Sequence, residues 1–192
     1  MKVRISPGNS KLGRITNVSL PPVISCRPGV PCANGGCYAI KAYRQYPNVR
    51  DAWNFNLAAW QHSPPLYFDS IISQLKTMNK REKYFRWHVA GDIQDEFYLR
   101  GMFLAALELP DWRFRAFTKQ FDIVNDLMTR VDCPENLKFG LSAWPGLELE
   151  NPHNLPIAYY DGQDPDIFTC TGSCAACKVC WHTSKDINLP AH

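Results

Sequence analysis

The sequence predicts an α/β fold, a partial or distorted TIM-like barrel of mostly parallel strands in a single domain over residues 1–192. A chain of 192 residues suits one domain, since domains commonly have about 100–200 residues. From residue 84 onward, short apolar segments alternate with helical patterns, which is typical of βαβ units and a parallel sheet. A closed eight-fold barrel typically needs about 250 residues, so we expect an incomplete one.

The predicted elements follow from hydrophobic periodicity and from the positions of prolines. Residues 1–50 are loop-rich, with one strand over Ile15–Leu20 that a double proline ends. Helices are predicted over Val49–Gln61 and, after a Ser-Pro-Pro entry, over Leu66–Met78. The repeats of residues 84–161 comprise strand Tyr84–Ala90, helix Asp95–Leu109, strand Trp112–Phe117, helix Phe121–Val131, strand Leu137–Ala143 and strand Ile157–Tyr160.

The composition disfavours several functional classes. Hydrophobic residues make up 45% and charged residues 20% of the chain, a normal globular balance. No segment approaches the roughly 18 apolar residues of a membrane span, and the segment MKVRISPGNSKLGR lacks the apolar core of a secretory signal. The net charge of +3, with scattered basic residues, disfavours nucleic acid as a partner. We expect a cytoplasmic protein that acts on a small molecule and makes no membrane contact; the sequence does not indicate its oligomeric state.

Seven of the eight cysteines form two groups and Cys133 stands alone. Because we expect a reducing compartment and a chain that needs no disulfides, clustered thiols favour a metal centre. We predict seven metal ligands: an N-terminal trio of Cys26, Cys32 and Cys37, and a C-terminal tetrad of Cys170, Cys174, Cys177 and Cys180, within residues 168–192.

The spacing of the tetrad favours an iron–sulfur cluster. Its thiols are separated by three, two and two intervening residues in CTGSCAACKVC, so they can surround one centre with little loss of chain entropy. Zinc is the alternative occupant, although zinc sites usually pair two C-x-x-C knuckles across a longer spacer. Residues 170–177 also match C-x-x-x-C-x-x-C of radical S-adenosylmethionine enzymes, where the motif follows the first strand instead. The trio fits no common template. It would complete the same centre, form a second site or only line the pocket, and we favour a position near the same centre.

Polar residues follow the carboxyl ends of the predicted strands. His88 and Asp92 follow the first strand of the repeats, Lys119 follows the second, and Ser142 ends the third. Because such ends meet at one edge of a parallel sheet, we expect these residues to converge. We predict His88 or Asp92 as a general base, Lys119 as an oxyanion stabiliser and Ser142 as a further catalytic group.

Each of these residues also has a structural interpretation that the sequence leaves open. Asp92 or Asp95 would cap the following helix, and His88 would be a buried core histidine. Lys119 would be an ordinary solvated lysine, and Ser142 would bond only to backbone. The coincidence of all four at strand ends is the argument for a site.

Several segments follow one another in a recognisable order: Asn9-Ser10-Lys11-Leu12-Gly13, NVSLPPVISC, CYAIKAYRQYPNVR with Asn54 and Asn56, RWHVAGDIQDEFYL, Thr118-Lys119, LSAWPG and the closing C-x-x-C-x-x-C-Trp. Together they resemble a family of phage and prophage proteins, the gene-product-88-like domain proteins. It implies an iron–sulfur protein with a barrel-like α/β fold, similar in shape to radical S-adenosylmethionine enzymes, and an esterase-like hydrolytic activity in the host cytoplasm. Within the matched segments we predict that Lys11, Tyr38 and Trp144 bind the cofactor, a 4Fe–4S or 3Fe–4S cluster.

Three functional hypotheses follow. The cluster is a Lewis acid in the hydrolysis of small ester-like substrates, it carries electrons in transfer or radical chemistry, or it is structural in a protein that binds a phage or host partner. The sequence contains no Gly-rich phosphate loop, no G-x-S-x-G elbow and no H-E-x-x-H site. Nucleotide hydrolysis, a conventional serine hydrolase and a zincin are therefore disfavoured.

Overall fold

The computed structural model describes residues 1–190, which form a seven-stranded parallel sheet with helices against one face. The strands are β1 (Thr16–Val18), β2 (Tyr84–Trp87), β3 (Arg113–Thr118), β4 (Leu137–Ala143), β5 (Ile157–Tyr160), β6 (Phe168–Thr169) and β7 (Ile187–Leu189). Their order is β1-β2-β3-β4-β5-β7-β6, and every neighbouring pair is parallel. Strands β1 and β6 are the two edges of an open sheet, so the predicted partial barrel is confirmed.

Four longer helices cover one face of the sheet, here called the outer face. The helices are α1 (Tyr38–Gln45), α2 (Pro47–His62), α3 (Pro64–Thr77), α4 (Glu96–Glu108), α5 (Phe121–Met128), α6 (Cys174–Cys177) and α7 (Val179–His182). Apolar side chains of α2 to α5 pack on Phe85, Trp87, Phe114 and Phe139 of β2 to β4, which forms the main core. Alternate strand residues therefore point to the other side, the inner face.

The inner face is covered by the C-terminal segment and an N-terminal loop. A second, smaller core there contains Leu12, Ile15, Cys180, Trp181 and Ile187. The Trp181 ring meets the Tyr84 ring edge-on at 5.7 Å, which anchors α7 to the first strands of the sheet. The tetrad is thereby placed on the inner face.

The structure departs from the predicted elements where sequence signals are short or local. Helix α1 lies in a segment predicted as loop, and the two short strands β6 and β7 were not predicted. Strand β2 ends at Trp87 and does not reach Ala90 as predicted, because His88 and Gly91 adopt left-handed backbone with φ of 56° and 77°. A Cβ at position 91 would lie 2.4 Å from Ser25 Oγ, so glycine is required there.

Among residues 1–190, no helix is both long and apolar enough to cross a membrane.

Candidate metal and active site

Asp92 is the organising residue at the carboxyl ends of β2 and β3. It is 6% exposed. Its Oδ1 accepts hydrogen bonds from Thr118 Oγ1 at 2.6 Å and Ile93 N at 2.8 Å, and its Oδ2 accepts one from Lys119 N at 2.8 Å. Burial raises the pKa of this carboxyl, and the three donors oppose that rise. Asp92 thus joins the end of β3 to the turn after β2, while Asp95 is the residue that caps α4, by accepting from Tyr98 N.

Lys119 extends from the end of β3 toward the end of β4. Its Nζ lies 3.4 Å from Ser142 Oγ and 5.3 Å from the centroid of the Trp144 ring. Trp144 in turn stacks on Tyr160 at the end of β5, with ring centroids 3.5 Å apart. The predicted convergence of the strand ends is therefore confirmed for these residues, which place an amine and a hydroxyl beside an aromatic platform.

The N-terminal trio lies at this same edge. Burial raises the pKa of Cys26 to about 11, with further contributions from Asp92, Cys37 and Cys32. Burial also raises the pKa of Cys32, while the charge of Lys119 lowers it. These mutual effects show that the three thiols are electrostatic neighbours of one another and of the polar residues at the strand ends.

Tyr38 lies between the trio and the inner face. The residue as a whole is 49% exposed, but its hydroxyl donates to the carbonyl of Val89. Desolvation raises the pKa of the Tyr38 hydroxyl. The charge of Arg86 opposes this rise, whereas the trio thiols add to it. Tyr38 is therefore an electrostatic neighbour of the trio thiols and of Arg86.

The C-terminal tetrad lies in the connection from β6 to β7, on the inner face. Burial raises the pKa of Cys174, opposed chiefly by Arg86, and Cys170 and Cys180 raise it further. Burial likewise raises the pKa of Cys180, opposed by Arg115 and Arg86. The tetrad thiols thus share one neighbourhood, and that neighbourhood contains two arginines.

Arg115 is an uncompensated cation in the interior. It is 0% exposed, and all three nitrogens of its guanidinium have no hydrogen-bond partner among the described residues. The group lies 4.3 Å from the centroid of the Phe117 ring. A cation–π contact is worth about 0.5–2 kcal/mol, whereas burying an unpaired charge costs several kcal/mol. The aromatic ring alone does not offset the burial of this charge.

Lys11 is held against the tetrad by the backbone. Its carbonyl accepts a hydrogen bond from Cys174 N at 2.9 Å, and its side chain borders a groove of about 340 Å³ together with Cys170 and Gly172. The charge of Lys11 also lowers the pKa of Cys174. Of the three predicted cofactor contacts, Lys11 is beside the tetrad, whereas Tyr38 and Trp144 are on the side of the trio.

His88 is apart from these groups, within the main core. It is 3% exposed, its ring packs on Trp87 and Tyr98, and its Nε2 lies 2.9 Å from the Tyr98 hydroxyl. That hydroxyl is 2.9 Å from the hydroxyl of Tyr67. Burial and the charge of Arg86 lower the pKa of His88 to about 3. The left-handed turn directs His88 toward the outer face, which is the arrangement of a buried core histidine.

The cysteines supply the soft thiol donors that bind iron–sulfur clusters, although their side chains are not positioned as ligands of one metal ion. Within residues 1–190, no three His, Cys, Asp or Glu side chains are close enough to hold a metal ion as they stand. Each cysteine group nevertheless supplies several soft thiol donors to one neighbourhood, with Lys119 near the trio and two arginines near the tetrad. An anionic thiolate-bound cluster would compensate the orphaned guanidinium of Arg115.

Arg86 and Arg115 are the residues that sequence reasoning missed. A signal was present, since both are charged residues with aromatic or apolar neighbours on either side in the strand segments YFRW and RFRAFT. Alternation assigns them to one face of the sheet, but the alternation pattern does not reveal that a distant cysteine-rich segment covers that face.

Comparison with known proteins matches most of this architecture to one family. The model of the family described as Gene product 88 matches residues 4–144, which include the trio, Asp92, Lys119 and Ser142 and end before the tetrad. No curated protein and no solved structure gives a significant match. Because the matched range covers well over half of the chain, this protein belongs to the Gene product 88 family.

Proposed function

We propose that this protein is an iron–sulfur hydrolase of small ester-like substrates, with its substrate site at the carboxyl edge of the sheet. The observation that carries the proposal is the 3.4 Å approach of Lys119 Nζ to Ser142 Oγ, at an edge where the Cys32 thiol is an electrostatic neighbour of Lys119. The site thus combines polar donors with thiols that can bind metal. Sites at this edge are the general rule in parallel α/β folds.

Lys119 and Ser142 supply the two hydrogen-bond donors of the proposed site. Both are partly exposed, so a substrate carbonyl can reach them, and donors aimed at a developing oxyanion are among the largest contributions to acyl transfer. The stacked rings of Trp144 and Tyr160 offer an apolar surface for the acyl or alcohol part. When bound, the cluster would supply a Lewis-acidic iron.

Asp92 acts in this proposal through its neighbours. Its carboxylate holds Lys119 N and Thr118 Oγ1, which fixes the start of the Lys119 side chain relative to β4. One lone-pair direction of Oδ2 remains after these bonds, so Asp92 is also the candidate general base at this edge. His88 has no role in the proposed chemistry, because it contacts Tyr98 in the main core.

A second candidate function is a cluster that carries electrons or has a purely structural role in a partner-binding protein. The observation that favours it is the position of the tetrad, whose thiols neighbour buried Arg115 on the inner face. A four-thiolate cluster with no open iron position would have no Lewis-acid function.

The test compares Lys119→Met and Ser142→Ala with Lys76→Met, an exposed lysine paired to Glu108. Anaerobically reconstituted and cluster-free proteins are assayed on activated short-chain esters and amides. Loss of one oxyanion donor is expected to lower the rate about 10²–10³-fold, with iron content and melting temperature unchanged and with wild-type rates in the control. Wild-type protein without activity above background would refute the hydrolase proposal, and so would activity that does not depend on the cluster.

A further inference from the structure

Positive charges are aligned across the middle of the sheet on its inner face. Arg86 of β2 is in register with Arg115 of β3, and Arg115 is in register with Lys138 of β4. Residues in register on adjacent strands have their side chains on the same face, and like charges placed directly opposite one another destabilise a sheet. A nearby negative charge would offset the repulsion within this row.

The described residues offer no carboxylate for this purpose. None of the ion pairs among them involves Arg86 or Arg115. Both guanidinium groups instead lie 4.3 Å from the centroid of the same Phe117 ring. The aromatic ring holds the two cations in place but brings no negative charge.

The sheet is shaped to keep Arg115 in this position. A Cβ at Gly140 of β4 would lie 2.4 Å from Arg115 Nη2 and 2.6 Å from Phe117 Cδ1. The missing side chain at position 140 thus leaves the space that the buried guanidinium occupies. On the other side, the smaller core packs Phe117 together with Cys174 and Cys180, so the two cations and these two tetrad thiols border the same region.

We propose that Arg86 and Arg115 are the built-in counter-charge of an anionic iron–sulfur cluster held by the thiolates of the tetrad. The inference rests on the proposed function for the presence of a cluster, but not on hydrolysis. The buried guanidinium of Arg115 and the half-buried one of Arg86, beside a cluster, favour the state with more negative charge, which is the reduced one. They act as tuning and positioning residues. The unpartnered N–H donors of Arg115, and those of Arg86 other than Nε, which donates to His88 O, can bond to cluster or cysteine sulfur.

The variants Arg115→Met and Arg115→Lys are compared with Arg113→Met, which removes an exposed arginine of the same strand. Arg86→Met, at a half-buried position, is the second variant in case Arg115→Met does not fold. Each protein is reconstituted anaerobically, its iron and sulfide are quantified, and its midpoint potential is measured. The thermal unfolding of the cluster-free forms is recorded in parallel.

Loss of the Arg115 or the Arg86 cation is expected to lower the midpoint potential by about 59 mV or more. For one electron, this is a tenfold shift of the equilibrium away from the reduced state. Arg115→Lys should retain most of the wild-type potential, and Arg113→Met all of it. Cluster-free Arg115→Met should melt no earlier than cluster-free wild type, because it lacks the uncompensated charge.

Met variants that keep the wild-type potential and iron content would overturn the inference while leaving the proposed function intact. Cluster-free Arg115→Met that folds but melts much earlier than wild type would also overturn it, since Arg115 would then be a structural residue. A wild-type protein that binds no iron overturns both proposals. A wild-type protein that binds a cluster but hydrolyses no ester refutes only the hydrolase proposal.

Discussion

The burial of His88 predicts a specific acid sensitivity of this protein. In the folded state its pKa is lowered from 6.5 to about 3, so between these values the unfolded chain binds a proton that the folded chain does not. The folded state therefore loses stability as pH falls, by about 1.4 kcal/mol per pH unit below 6.5. The full shift, at 1.36 kcal/mol per unit, corresponds to about 5 kcal/mol by pH 3.

The structure explains why the neutral ring is preferred. His88 Nδ1 is buried without a partner, so the protonated ring would leave an N–H unsatisfied in the core. The tautomer that leaves Nδ1 as a bare acceptor has Nε2–H donating to the Tyr98 hydroxyl, which is 2.9 Å away. Tyr98 then donates to Tyr67, also at 2.9 Å. Buried donors are satisfied more strictly than acceptors, which favours this direction of the chain.

The measurement is urea unfolding at a series of pH values between 7 and 4 for wild type and His88→Asn. Asparagine tolerates the left-handed backbone of residue 88 and does not titrate in this range. The variant should show a shallower fall of unfolding free energy with decreasing pH, by about 1.4 kcal/mol per unit, whatever its absolute stability. His62→Asn, at an exposed position, is the matched control. Equal slopes in His88→Asn and wild type would refute the burial argument and reopen a catalytic role for His88.

Two further predictions concern the cysteines and a turn. Cluster incorporation, measured as iron and sulfide per chain, should be abolished by each of Cys174→Ala, Cys177→Ala and Cys180→Ala. The control Cys133→Ala should retain the cluster, because Cys133 donates to Leu137 O beside the main core. Full iron content in a tetrad variant would show that the replaced cysteine is not a ligand. Gly91→Ala should lower the free energy of unfolding by more than about 2 kcal/mol, since it combines left-handed backbone with a Cβ 2.4 Å from Ser25 Oγ. The control Gly29→Ala has a similar φ of 74° and nothing within 4 Å, so in urea unfolding it should show only the backbone cost; equal losses would refute the steric part of the argument.

The sequence predicted the repeated part of the fold well, because there hydrophobic periodicity is reinforced over several elements. Strands Leu137–Ala143 and Ile157–Tyr160 have the predicted bounds, and the helices between strands are present. Helix α1 was missed because it is only eight residues long, lies in a proline- and glycine-rich region, and buries only Ala39. Strands β6 and β7 are two and three residues long, too short for a periodic signal.

The candidate site was predictable only as far as the order of strands determines it. Strand direction alone brings Asp92, Lys119 and Ser142 to one edge of a parallel sheet, so this convergence was predictable from the sequence. The position of His88 depends on a single left-handed residue, which no alternation pattern reveals. The pairing of the tetrad with Arg115 depends on how the C-terminal segment folds back, a long-range contact without a local signal.

The connection between β6 and β7 makes the tetrad part of a local folding unit. The two strands pair directly, with Phe168 opposite Ile187, and Cys170 N donates to Asn188 O at 2.8 Å. Closing the loop between β6 and β7 costs chain entropy, and this cost grows with loop length. Any ligand that draws the tetrad thiols together shortens the loop and therefore lowers the cost of pairing the two strands. Binding there would selectively slow the amide hydrogen exchange of residues 168–189. The amides of β3, in the main core, would still exchange only through global unfolding. A ligand bound there would then stabilise the docking of β6 and β7 on the sheet. Strand β6 is the edge strand on this side, where unpaired backbone groups are open to pairing with another chain.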